Sequence, residues 1–258
     1  MKLYWKYFSI HLRSVMQYKT SFLLTVLGQF FTSFTMLFGV YFLMSRFHQV
    51  EGFSLAEVLL CFAIMQLSLT VAEVFARGFD LFPMMLGNGE FDRILVRPRN
   101  VILQVLGSKM EFSRLGRLIQ AILVYAYAIP NCGVHWTLLK VLTLILMNVC
   151  GSLVFVAMFV IYASVCFFTI QGLETLNILI YGGREFGQYP FSIYGKWVLR
   201  FVTYVFPLAL VQYYPLLYIT GRSDSLFFVF VPVLALLFWI PSLMLWKIGT
   251  KHYQSTGS

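Results

Sequence analysis

Apolar runs separated by short polar stretches make up most of the chain. Runs poor in charge occupy residues 21–44, 55–76, 113–130, 137–161, 163–181 and 226–246. A helix needs about 20 mainly apolar residues to cross a hydrocarbon core, so these runs predict six transmembrane helices. A further apolar stretch, 197–220, is interrupted by Pro207 and Pro215. Proline removes a backbone donor and bends a helix. This stretch therefore predicts a re-entrant helical segment, which a membrane tolerates where it is buried in protein. The fold class is an all-α polytopic membrane protein.

The first 20 residues pattern differently. Leu3, Tyr7, Ile10, Ser14 and Tyr18 fall near one helical face, and Trp5, Phe8, Leu12, Val15 and Met16 widen it. Lys2, Lys6, Arg13 and Lys19 supply charge. That combination predicts a basic amphipathic helix lying in the membrane interface. A secretory leader is not expected, because the same charges interrupt the apolar run and no small-residue cleavage site follows.

Between the second and third runs lies a segment of another kind, 77–100, reading RGFDLFPMMLGNGEFDRILVRPRN. Glu90, Asp92, Arg93, Arg97 and Arg99 crowd its second half, in a chain that is only 11% charged. Phe79, Phe82, Met85 and Leu86, then Phe91, Ile94 and Leu95, recur at helical spacing on either side of a Gly-Asn-Gly turn. The pattern predicts a surface helix pair, or a helix and a turn. A solvated loop made basic by the orientation rule is one account of it. Its aromatic residues favour another, a docking surface for a soluble partner. In that account Phe82, Met85, Leu86 and Phe91 act as knobs, and Glu90, Asp92, Arg93 and Arg97 set the register.

Composition agrees with the membrane assignment. Of 258 residues, 60% are hydrophobic, and the mean hydropathy is +0.80; a soluble domain carries about twice the charge. The net charge of +9 comes from basic residues gathered at span ends. Membrane orientation and anionic headgroups account for it without nucleic acid. With the N-terminus cytoplasmic, Arg77, Arg93, Arg97, Arg99, Lys109, Arg114 and Arg117 fall on the inner side. Lys247 and Lys251 then require an even number of spans. Cys61, Cys132, Cys150 and Cys166 show no metal spacing and read as small apolar residues.

Few acids approach membrane depth. Glu73 either is a buried functional acid or pairs with Arg77 four residues on, in the favourable order for a helix. Glu174 and Asn177 would lie at depth or line a polar path if 163–181 spans the membrane.

Two motifs then carry a family resemblance. The first comprises Arg77, Gly78, Gly89, Phe91, Asp92, Leu95, Arg97 and Pro98. The second comprises Tyr189, Pro190, Tyr194, Pro207, Tyr213, Tyr214 and Pro215. Their order, after an amphipathic helix and two spans, resembles the permease subunits of bacterial ABC-2-type transporters. The resemblance implies a single transmembrane domain over 21–258 and a coupling helix within 77–100. It also implies two copies of a cytoplasmic ABC ATPase, with ATP and Mg bound there and not on this chain. A second permease subunit, identical or homologous, would complete a complex in the bacterial plasma membrane that exports drugs, peptides or lipids.

The residues fit such a division of labour. No GxxxxGK(S/T) phosphate loop is present, and no GxSxG elbow; His11, His48, His135 and His252 are scattered. An intramembrane lipid-modifying enzyme and a membrane scaffold without transport are the other readings.

Overall fold

The computed structural model describes residues 2–47, 49–169 and 174–254. Among them the chain is helical, with a lone antiparallel bridge between Val50 and Phe53. Helix α1 (Lys2–Met16) is the expected amphipathic element. Its Tyr4, Tyr7, Phe8, Leu12 and Val15 pack on Val74, Met110 and Phe112. Tyr4 Oη donates to the Phe75 carbonyl at 2.8 Å. Trp5, Ile10 and Met16 stay exposed, where an interfacial helix meets lipid. The helix is thus clamped to the rest of the chain along one side.

Helix α2 (Lys19–Phe47) is long and apolar, yet only 11% of its spanning window is buried. Helix α3 (Leu55–Asp80) is the opposite case, with 83% of its window buried. That contrast makes α3 the centre of the packing and α2 its flank. Ser54 starts α3 through a capping box. Its hydroxyl accepts from the Glu57 N–H, and the Glu57 carboxylate accepts from the Ser54 N–H, satisfying two donors that a helix start leaves open. Arg222 reaches across to Glu57 at 3.1 Å and lies over the Phe53 ring, tying a distant loop to this end of α3.

At its other end α3 kinks at Ala76 and leads into α4 (Phe82–Gly87) and α5 (Glu90–Leu95). The turn between them places Gly89 at φ +66°, a backbone conformation that glycine adopts without a steric penalty. Helix α6 (Val101–Ser108), capped by Asn100, returns along α3. A single turn at Phe112–Arg114 introduces α7 (Leu115–Asn131). Helix α8 (Leu138–Val165) follows, and both α7 and α8 pack on α3.

The second half is more broken. Helix α9 covers Glu174–Phe186, α10 Gly195–Tyr204, α11 Leu208–Val211 and α12 Tyr213–Ile219. The chain bends by 90° between Tyr204 and Leu208, around Pro207, within the stretch expected to be re-entrant. Gln212, fully buried, donates toward the Gly187 and Tyr189 carbonyls at 3.4 and 3.3 Å and anchors the bend. Helices α13 (Phe227–Leu234) and α14 (Trp239–His252) join through a short tight turn into one apolar run.

Among the described residues, four helices are long and apolar enough to cross a membrane: Lys19–Phe47, Leu55–Gly87, Leu138–Val165 and Phe227–His252. A fifth candidate is the bent pair Phe191–Tyr204 and Leu208–Ile219. The expectation of six straight spans is therefore met only in part. The run near 113–130 forms a helix of 17 residues. The run 163–181 is not one helix: Ala163–Val165 complete α8, and helix resumes at Glu174. At the end of α8, Ser164 Oγ and Cys166 Sγ both donate back to its carbonyls. Residues 170–173 of that run lie outside the described residues.

Candidate functional site

The end of α3 brings two arrangements together. The first is the aromatic packing that holds segment 77–100. Phe82 and Phe91 meet edge to face at 5.1 Å between ring centres. Each also contacts Phe167 and Trp246. Tyr253 closes the cluster against Phe91 at 5.0 Å, and its hydroxyl donates to Asp92 at 2.9 Å. Such aromatic pairs add about 0.5–1.5 kcal/mol each beyond their buried area. Segment 77–100 is thereby fastened to the end of α14.

This corrects the expectation of apolar knobs on the surface. Phe82 and Phe91 are fully buried, Leu86 and Met85 nearly so, because the chain supplies its own aromatic partners. Asp92 faces inward as well, through Tyr253. Glu90, Arg93 and Arg97 remain exposed, as do Met84, Leu95 and Val96. They form the outer surface of the segment.

The second arrangement is a charged cavity of about 470 Å³ on the inner side of the same helix end. Glu73 lies at its base, 1% exposed. Arg117 approaches it at 3.4 Å, and Arg77 and Arg114 at 3.7 Å. Arg77 also binds Asp80, Glu111 at 2.8 Å and the Tyr181 hydroxyl at 2.7 Å. Gln29 of α2 accepts from Arg114 at 3.2 Å and from Arg117 at 2.8 Å. Helix α9 supplies Asn177, Tyr181 and Arg184 to the lining; Arg184 pairs with its neighbour Glu185. The Glu73–Arg77 pair anticipated from spacing is present, inside a network several times larger. Glu174 does not join it and is exposed.

A family model described as ABC-2 family transporter protein matches residues 30–257. The chain belongs to the ABC-2 transporter family. Comparisons with curated proteins and with solved structures return no match.

Apart from Gln29, both arrangements fall inside the region matched by the family model, whereas α1 precedes it. Membership makes this a multi-pass membrane protein of a family whose members are served, in general, by an ABC ATPase. Among the described residues no group of three or more His, Cys, Asp or Glu has metal-site geometry. Within this ABC-2 chain, sequence reading found Glu73, Arg77 and Asn177 but overlooked Glu111, Arg114, Arg117, Tyr181 and Arg184. Glu111, Arg114 and Arg117 sit three residues apart, a spacing that places charges on one helical face. That signal was legible. Tyr181 carried none, because its partners Arg77 and Asp80 lie on α3, and the neighbouring Glu185 gave no hint that Arg184 lines the same cavity.

Proposed function

We propose that this chain is the permease subunit of an ATP-driven exporter. It would move a hydrophobic or amphipathic substrate out of the cytoplasm or the inner leaflet. Two copies of a separate cytoplasmic ABC ATPase supply the energy and bind ATP and Mg. A second permease, identical or homologous, completes the pore.

One observation carries the reading: a continuous lever runs from the protein core to its surface. Helix α3 is buried among α7 and α8 and continues into α4 and α5. Those short helices are locked to α14 by the aromatic cluster and by the Asp92–Tyr253 bond. A push on the outer face of α5 therefore reaches two core helices at once. Coupling between sites requires such an element, biased from both ends. The contact with the ATPase then falls on the exposed residues Met84, Glu90, Arg93, Leu95, Val96 and Arg97, while Phe82, Met85, Leu86 and Phe91 stiffen the segment from behind.

The test is co-purification from the native membrane. Arg93→Glu with Arg97→Glu reverses charge on the outer face and leaves the aromatic cluster intact. The double variant is expected to insert normally and to retain at most about a tenth of the ATPase, a loss of about 1.4 kcal/mol. ATPase recovered at the wild-type yield overturns the docking face. No ATPase with the wild-type chain overturns the permease reading itself.

A further inference from the structure

The cavity beneath the lever has more hydrogen-bond donors than the chain uses. Its lining holds Arg77, Arg114, Arg117 and Arg184 against two carboxylates, Glu73 and Asp80. Glu111 and Glu185 lie outside the lining; Glu111 engages one edge of both Arg77 and Arg114, and Glu185 engages Arg184. The Arg184 side chain is 7% exposed, and its Nε is buried with no hydrogen-bond partner among the described residues. A buried donor without a partner costs free energy, and an acceptor-rich ligand in the cavity would remove that cost. Guanidinium forks match the paired oxygens of phosphate.

We infer that this cavity is a binding site for a phosphate-bearing headgroup, contributed by an amphiphile of the inner leaflet. The location supports the amphiphile. Helix α9 separates two cavities. Asn177, Tyr181 and Arg184 face the arginine cavity. Ile178, Leu179, Gly183 and Phe186, on its other face, line a second cavity of about 190 Å³ that is almost wholly apolar. Apolar surface thus lies within one helix diameter, about 10 Å, of the oxyanion site. Gln29 and Met36 of the outlying helix α2 touch the arginines from the third side, where a lipid would approach. A phosphorylated compound from the cytosol offers the same oxygens without the apolar tail. Treating the occupant as cargo rests on the proposed export role; the existence of the site does not.

The experiment uses the full chain, purified in a neutral detergent without its ATPase. Thermal stabilisation is measured with dioctanoyl phosphatidic acid, with dioctanoylglycerol and with inorganic phosphate. Phosphatidic acid is expected to raise the melting temperature, and the phosphate-free glyceride to leave it unchanged. Arg184→Gln is expected to weaken phosphatidic acid binding about tenfold or more, while Arg46→Gln, remote from the cavity, binds as wild type. Equal stabilisation by the glyceride overturns the site with the wild-type chain alone, so the result does not depend on the variant folding. A monodisperse Arg184→Gln protein that binds phosphatidic acid as wild type also overturns it. Stabilisation by inorganic phosphate as strong as by phosphatidic acid overturns the leaflet source and assigns a cytosolic phosphate. Co-purification of the ATPase is read separately: its loss sinks the export reading and leaves the headgroup site standing.

Discussion

Phe91 shows how far a side chain's role depends on what surrounds it. On the sequence it sits among charges, in a segment between two apolar runs, and reads as a knob for a partner. In the structure it touches Phe82, Phe167, Trp246 and Tyr253 and has no exposed surface. Truncating a buried phenylalanine costs about 3–5 kcal/mol, through lost burial and the cavity left behind. Phe91→Ala is therefore expected to lower the thermal stability of the isolated chain with no ATPase present. Unchanged stability together with lost ATPase association would reinstate the knob. Glu73 makes the complementary point. Its pairing with Arg77 was readable from a four-residue spacing, and that pair exists at 3.7 Å. That Arg114 and Arg117 share the same carboxylate was hidden, because they lie 41 and 44 positions further along the chain, and spacing says nothing at that range.

At the level of elements, starts were legible and stops were not always so. Ser54 with Glu57, and Thr137 before α8, are local cap signals, and the helices begin where they fall. The apolar run 163–181 gave no such local signal of its break after Val165, where α8 packs against α14. Contacts between helices are equally invisible to pattern. Gly78 faces α6 so closely that an added β-carbon would overlap the Val105 carbonyl oxygen; at Gly116 one would overlap the Val26 carbonyl of α2. Backbone cannot yield as a flexible side chain can, since packed interiors transmit strain. Gly78→Ala is expected to force α3 and α6 apart, lowering the melting temperature and exposing segment 77–100 to protease. A variant as stable and as resistant as wild type would show that the two helices are not in close contact.

For the whole molecule, the long helices and the basic residues together predict an orientation. Segment 77–100, with Arg93, Arg97 and Arg99 exposed, is expected on the cytoplasmic side under the positive-inside rule. The aromatic cluster joins it to the end of α14, so the C-terminal residues are expected on that same side. A cysteine placed at Lys251 is therefore expected to react with an impermeant label only when the cytoplasmic face is accessible. Reaction from the outside would refute the shared side. The contrast between α2 and α3 belongs to this scale as well: both are mainly apolar, but only α3 is enclosed by the chain. The uncovered face of α2 carries a ladder of Phe30, Phe34, Phe38 and Phe42 and is open to lipid or to another subunit.

The sequence by itself determined that this is a helical membrane protein, where its amphipathic first helix lies, and which segment between apolar runs is unlike the rest. Those properties follow from periodicity, hydropathy and caps, which act over a few residues. Only the tertiary structure decided that Phe82 and Phe91 point inward, that the 163–181 run is broken, and that arginines from α3, α7 and α9 converge on one cavity. Each of those outcomes depends on pairing between helices far apart in the chain, where the free energy lies in contacts and desolvation that no local pattern records.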